Sequence, residues 1–153
     1  MNAAPLLNSI VAALEGARLE AILIGNAAAA IQGAPVTTLD FDFMFRETTV
    51  NLSKLKGFAR ALEATILRPY YPISKLYRVV NDDRGLQADF MPVIHGVTSF
   101  NSLRSRAQKI DIAGHALWVA DLADIIASKR AAGRPRDKAV LEILEATLHE
   151  RGK

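Results

Sequence analysis

Thr37-Thr38-Leu39-Asp40-Phe41-Asp42-Phe43-Met44-Phe45 is the stretch whose reading decides the fold. It is rich in β-branched and aromatic residues, and from Thr38 to Phe43 polar and apolar side chains alternate, which predicts a strand. Thr38, Asp40 and Asp42 fall on one face, and Leu39, Phe41 and Phe43 on the other. The apolar face calls for a core. The polar face carries two carboxylates roughly 7 Å apart, two rises along a strand. Like charges that close repel each other unless a cation lies between them. Hard oxygen ligands at this spacing suit Mg²⁺ or Mn²⁺ shared with the phosphates of a substrate. Asp-x-Asp alone also occurs in turns, glycosyltransferases, phosphohydrolases and plain solvated strand faces, so its neighbours must supply the meaning.

Upstream, residues 5–17 place Leu6, Leu7, Ile10, Val11 and Leu14 at helical spacing, a packing helix. Ala21-Ile22-Leu23-Ile24 reads as a short buried strand stopped by Gly25, and residues 26–32 as a short alanine-rich helix ended by Gly33 and Pro35. Because that helix starts directly after the strand, its free N–H groups at Gly25-Asn26 form a natural anion site. A tight turn without a ligand explains Gly25 equally well.

Downstream, Ser53 is the expected N-cap of a helix running to about Ala64, and Arg68-Pro69-Tyr70-Tyr71-Pro72 a loop. Residues 76–81 and 86–93 predict a hairpin around Asn81-Asp82-Asp83-Arg84-Gly85, with the glycine where φ > 0 is needed. In its second strand Asp89 shares a face with Gln87 and Met91, and an aspartate in mid-strand needs a partner. A helix over 99–107, strands over 109–112 and 116–119, and a helix capped by Asp121 with Asp124 completing a capping box follow. On that helix Leu122, Ile125, Ile126 and Lys129 share one stripe, so Lys129 points inward. Gly133 stops the helix and Pro135 opens the last one, where Asp137 shares a face with Val140, Leu144 and Leu148. An inward Lys129 and an inward Asp137 on consecutive helices invite a pair, either purely structural or part of a site.

The chain has 153 residues, 50% hydrophobic, which by length predicts one domain over 1–153 with a real core. It has no Cys, which excludes disulfides, thiolate metal sites and thiol nucleophiles. His95, His115 and His149 lack ligand-like spacing, and no Gly-x-Ser-x-Gly nucleophile motif occurs. Without a run of 18 apolar residues, or a Lys or Arg before Arg18 to start a secretory signal, a cytoplasmic protein with no membrane partner is expected. The net charge of +3 is modest, from 19 basic and 16 acidic residues. Its distribution is uneven: Lys54, Lys56, Arg60, Arg68, Lys75 and Arg78 face the single acid Glu63, with Tyr70, Tyr71 and Tyr77 among them. That mixture suits a nucleotide base or a single-stranded nucleic acid, or equally a solvated helix followed by a loop.

Ile24-Gly25-Asn26, then Thr38-x-Asp40-x-Asp42, then Asp89 in a later strand, resembles the polymerase-beta-like nucleotidyltransferase superfamily. The run Leu122-Ala123-Asp124-Ile125-Ile126-Ala127-Ser128-Lys129-Arg130, followed by Gly133-Arg134-Pro135-Arg136-Asp137, looks like its minimal bacterial members related to the abortive-infection type IV toxins. The resemblance implies an α+β (α/β) nucleotidyltransferase fold: a short mixed sheet flanked by helices, with a C-terminal helical pair. It implies a metal-dependent enzyme moving a nucleotide from a nucleoside triphosphate to an RNA, tRNA or protein hydroxyl, with Mg²⁺ or Mn²⁺ held by Asp40, Asp42 and Asp89. Those three and Lys129 would be catalytic, with Asp89 also the acceptor's base. Gly25, Asn26, Thr38 and Lys129 would bind the nucleotide. It further implies a toxin of a toxin–antitoxin pair, with an antitoxin protein as partner; a nucleotide- or partner-binding module without turnover is the competing class. Two positions depart from the pattern: Asn26 where Gly or Ser is usual, and Val36 where many members carry Arg.

Overall fold

Residues 4–38 and 40–152 are described by the structure, a computed structural model. In chain order they form α1 (Ala4–Ala17), β1 (Ala21–Ile24), α2 (Gly25–Ile31), β2 (Phe41–Phe45), α3 (Thr49–Ala61), β3 (Thr65–Leu67), β4 (Tyr77–Asn81), β5 (Leu86–Met91), α4 (Phe100–Arg106), β6 (Gln108–Ile112), β7 (His115–Val119), α5 (Leu122–Ala132) and α6 (Pro135–Arg151). The strands make one seven-stranded mixed sheet in the order β3-β4-β5-β2-β1-β7-β6. β2 runs parallel to β5 and β1 parallel to β7, and the remaining neighbours are antiparallel.

Strand alternation sorts β2 as its sequence asks. Phe41, Phe43 and Phe45 are buried, and Phe43 stacks on Phe90 of β5 at 4.8 Å between ring centres. Phe45 and, from α3, Phe58 meet Phe90 edge-on at 5.9 and 5.3 Å, the offset geometry that ring quadrupoles favour. Asp42 takes the opposite face, where α2 begins. Asn51, 1% exposed, ties α3 to this sheet: its side chain accepts from Glu20 N and donates to Glu20 O and Arg46 O. α5 and α6 pack on each other as a C-terminal pair.

Several boundaries differ from the sequence reading. β2 starts at Phe41, because Thr38 and Asp40 close a turn in which the Asp40 N–H donates to Thr38 Oγ1 at 3.1 Å. Thr38 and Asp40 therefore lie in the loop leading into the strand. The assignment of Leu39 to the apolar face lies outside the described residues. α3 begins four residues before Ser53, capped by Thr48, whose hydroxyl accepts from Asn51 N. β3, an edge strand unforeseen in the sequence, fills the gap between the expected helix end at Ala64 and the loop starting at Arg68; three residues, two of them exposed, are too few to announce a strand period. Asp121 does cap α5, but Asp124 pairs with Arg106 rather than closing a capping box. The hairpin forms as expected, with Gly85 at φ +65°. Among the described residues no helix is long and apolar enough to cross a membrane.

Candidate active site

Parallel pairing of β2 and β5 sets Asp42 directly beside Asp89, so both carboxylates emerge from the same face of the sheet. Asp40 joins them from the loop before β2, and all three line one cavity of about 740 Å³. Burial, with the charges of Asp89 and Asp40 adding to it, raises the Asp42 carboxyl from its ordinary 3.8 to about 6. Gly25 passes close to this acid: it sits at φ +69°, and a Cβ there would stand 3.2 Å from Asp42 Oδ2. Next to it, Asn26 Oδ1 is buried without a hydrogen-bond donor, an unsatisfied acceptor at the cavity edge.

Basic side chains line the same cavity. Lys129 of α5 lines the cavity and lies 3.8 Å from Asp137 of α6. Asp137, 2% exposed, is also gripped by Arg134 at the head of α6. Burial alone would raise the Asp137 carboxyl, but the Arg134 hydrogen bond and the charges of Arg134 and Lys129 hold it below the usual range. Burial lowers Lys129 from its ordinary value, opposed by the charges of Asp137 and Asp42. Lys129 thus has its partner in Asp137 and its head in the cavity; the two readings of it are compatible. Arg136 lines the cavity with them.

In the sequence Arg78 stands only as part of a basic stretch. It faces Asp89 across the β4–β5 pair, and Nε and Nη2 donate to Asp89 Oδ1 and Oδ2 at 2.9 and 3.1 Å. The signal was available: counting back from the Gly85 turn places residue 78 opposite 89. Of that stretch, Lys54, Lys56 and Arg60 lie on α3 and do not line the cavity, whereas Tyr70 does. Arg68 stacks over the rings of Tyr77 and Tyr71, at 3.9 and 4.8 Å, and Tyr70 and Tyr71 are largely exposed.

Among the described residues no three His, Asp or Glu side chains stand together as a ready-made metal centre. The donors present fit a narrower arrangement. Mg²⁺ is commonly held by one or two carboxylates with substrate phosphates and water completing its shell. Asp40, Asp42 and the unsatisfied Asn26 Oδ1 offer hard oxygens of that kind. Asp89 lines the same cavity with both oxygens engaged by Arg78.

No family model matches the chain, and no curated protein matches it in sequence. Solved structures do match it in shape. The solution structure of the antibiotic-resistance factor ANT(2'')-Ia aligns with 95% of this chain and 83% of its own at a TM-score of 0.66 and 14% identity. The crystal structure of ANT(2'')-Ia with adenylyl-2''-tobramycin covers 95% and 88%, at 0.65 and 15%. A Thermotoga maritima protein considered a nucleotidyltransferase covers 95% and 92%, at 0.57 and 17%. The likeness is one of fold: this chain has the mixed-sheet, helix-flanked fold of nucleotidyltransferases.

Proposed function

We propose that this chain is a metal-dependent nucleotidyltransferase that joins a nucleotide from a nucleoside triphosphate to an acceptor hydroxyl. The observation that carries the reading is the cavity itself, lined both by Asp40, Asp42 and Asp89 and by Lys129, Arg134 and Arg136, beside the Gly25-Asn26 turn. Acids alone would repel a triphosphate, and cations alone would hold it without a place for a metal. A cavity lined by both kinds of charge accepts both.

Asp40 and Asp42 would hold the divalent cation, which when bound neutralises phosphate charge and polarises the phosphorus under attack. Gly25 and Asn26, with Thr38, let the phosphates approach the turn closely, since no Cβ intervenes at Gly25. Lys129, Arg134 and Arg136 offset the negative charge that grows on the leaving group. The acceptor oxygen forms its bond to the α-phosphorus, the bond to the bridging oxygen breaks, pyrophosphate leaves, and Asp89 receives the acceptor's proton. Tyr70, exposed and lining the cavity, favours an RNA end as acceptor, because its ring suits stacking on a base. A protein hydroxyl is the other acceptor of this class, and a role as a toxin restrained by an antitoxin extends the same reading.

One observation favours the competing reading, a nucleotide-binding module without turnover: Asp89, the proposed base, is engaged by Arg78. Incubation with each α-labelled triphosphate, Mg²⁺ or Mn²⁺, and total RNA, cell protein or tobramycin separates the two. Label is expected on RNA. Saturable nucleotide binding with no label on any acceptor would establish the binding module instead.

A further inference from the structure

We propose that Arg78 is a latch on Asp89, masking that carboxylate while the cavity is empty and releasing it when a ligand's phosphate draws the guanidinium away. The inference rests on the transfer reading above and concerns how the site is armed. Asp89 is only 7% exposed, and each of its oxygens accepts from a different N–H of one guanidinium. A carboxylate gripped side-on by such a fork has little left to offer a cation. The grip is built into the sheet, because Arg78 and Asp89 are direct partners in the antiparallel β4–β5 register. Arg78 nevertheless keeps 28% of its side chain exposed and lines the cavity, so the exit of its guanidinium is toward the ligand.

The other cations of the cavity are placed differently. Lys129 and Arg134 are held by Asp137 of α6, and their movement would free no acid beside Asp42. Arg78 alone among these is paired with an acid beside Asp42. Breaking a largely buried ion pair is strongly unfavourable unless both charges find new partners at once. A triphosphate with its cation supplies both, phosphate oxygens for Arg78 and positive charge for Asp89. A cation by itself supplies only one, so without nucleotide it meets Asp40 and Asp42 alone. The latch thereby couples cation binding at Asp89 to the arrival of phosphate, and Arg78 is a positioning residue.

The test is binding of Mn²⁺ alone to nucleotide-free protein, read from the electron paramagnetic resonance of free Mn²⁺. Arg78→Gln is expected to bind Mn²⁺ at least about tenfold more tightly than the wild type, because an opposing charge is removed and a buried carboxylate is uncovered. Adding Asp89→Asn to it should abolish the gain. Arg78→Lys, which keeps the charge but not the fork, should show a smaller gain and serves if Arg78→Gln does not fold by circular dichroism. A folded Arg78 variant that binds Mn²⁺ no tighter than the wild type, or a gain that survives Asp89→Asn, overturns the latch. If the wild type meanwhile transfers label from a triphosphate, the latch falls alone; a wild type that binds neither Mn²⁺ nor nucleotide overturns the reading beneath it as well.

Discussion

Asp42 and Lys129 show how one side chain can serve packing and chemistry with opposite electrostatic signs. The Asp42 carboxyl titrates near 6 against an ordinary 3.8, so the folded chain holds its proton more tightly than the unfolded chain does. The stabilisation from that proton is complete below the ordinary value and lost as pH rises through about 6. Asp42→Asn, which cannot ionise, should therefore melt higher than the wild type at pH 8 and nearly level with it at pH 4. Equal gains at both pH values would show that Asp42 is not ionising against its surroundings. Lys129→Met keeps the apolar stem of the lysine and removes its charge, but leaves Asp137 in the grip of Arg134. Its loss of stability should fall short of the roughly 3–5 kcal/mol of a stranded buried charge, which Lys129→Met with Arg134→Gln should reach. Transfer by the single variant should drop on the order of 10² to 10³-fold, as for loss of one preorganised charged group. Thermal melts beside initial rates decide it, and a destabilised variant of full activity would make Lys129 structural.

At the scale of elements, the site depends on two contacts that join loops and helices to the sheet. Gly96, in the loop after β5, sits at φ +74° against α5, where a Cβ would meet Ala127 O at 2.9 Å, Ala131 Cβ at 3.1 Å and Ser128 Cα at 3.2 Å. These are mostly backbone atoms of the turn that carries Lys129, and they cannot yield without moving the helix. Gly96→Ala should cost more than about 1 kcal/mol, since alanine is placed at positive φ with no room. It should also weaken nucleotide binding, measured by calorimetry, while Gly57→Ala, with nothing within 4 Å of its Cβ, should do neither. Asn51 acts on the other side of β2. Asn51→Ala strands Glu20 N and Arg46 O, while Glu20 O keeps the Arg46 N–H, and at about 1–3 kcal/mol for an unsatisfied buried group it should visibly lower the melting temperature. An unchanged melt would mean that water replaces the amide.

At the scale of the molecule, the adjacent strands β2 and β5 bring Asp42 and Asp89 together, and the C-terminal helix pair brings cations to the same cavity. Ligand binding should accordingly be read by the whole fold. Triphosphate with Mg²⁺ at a hundredfold excess over its Kd should stabilise the protein by about 2.7 kcal/mol, seen as a raised melting temperature. Asp40→Asn with Asp42→Asn should abolish that shift and leave the apo protein as stable as before, or slightly more so, because mutual repulsion leaves with the charges. A wild type unshifted at millimolar nucleotide would point to a partner-binding module.

What the sequence by itself determined is whatever depends on local period and turn chemistry. The alternation of Phe41, Phe43 and Phe45 against Asp42, the Gly85 turn, the Asp121 cap and the Gly133–Pro135 break all act within a few residues, and each appears as an element or a boundary. Local signals misled where two similar ones competed: Thr48 caps α3 although Ser53 offers the same hydroxyl, and the Thr38–Asp40 turn ends the strand before its alternation ends. Counting from the Gly85 turn places Arg78 opposite Asp89, and inward spacing pairs Lys129 with Asp137, but tertiary structure alone decided which charges meet between elements distant in the chain. That Asp42 lies beside Asp89 follows from the parallel register of β2 and β5, strands separated by α3, β3 and β4. That Asp137 is also bound by Arg134 is invisible to hydrophobic period, because a cation written in a basic stretch reads as solvated until its partner is placed. Register and helix docking are fixed by burying Phe43, Phe58 and Phe90 together, and the charges on the opposite face are carried to their partners by that packing.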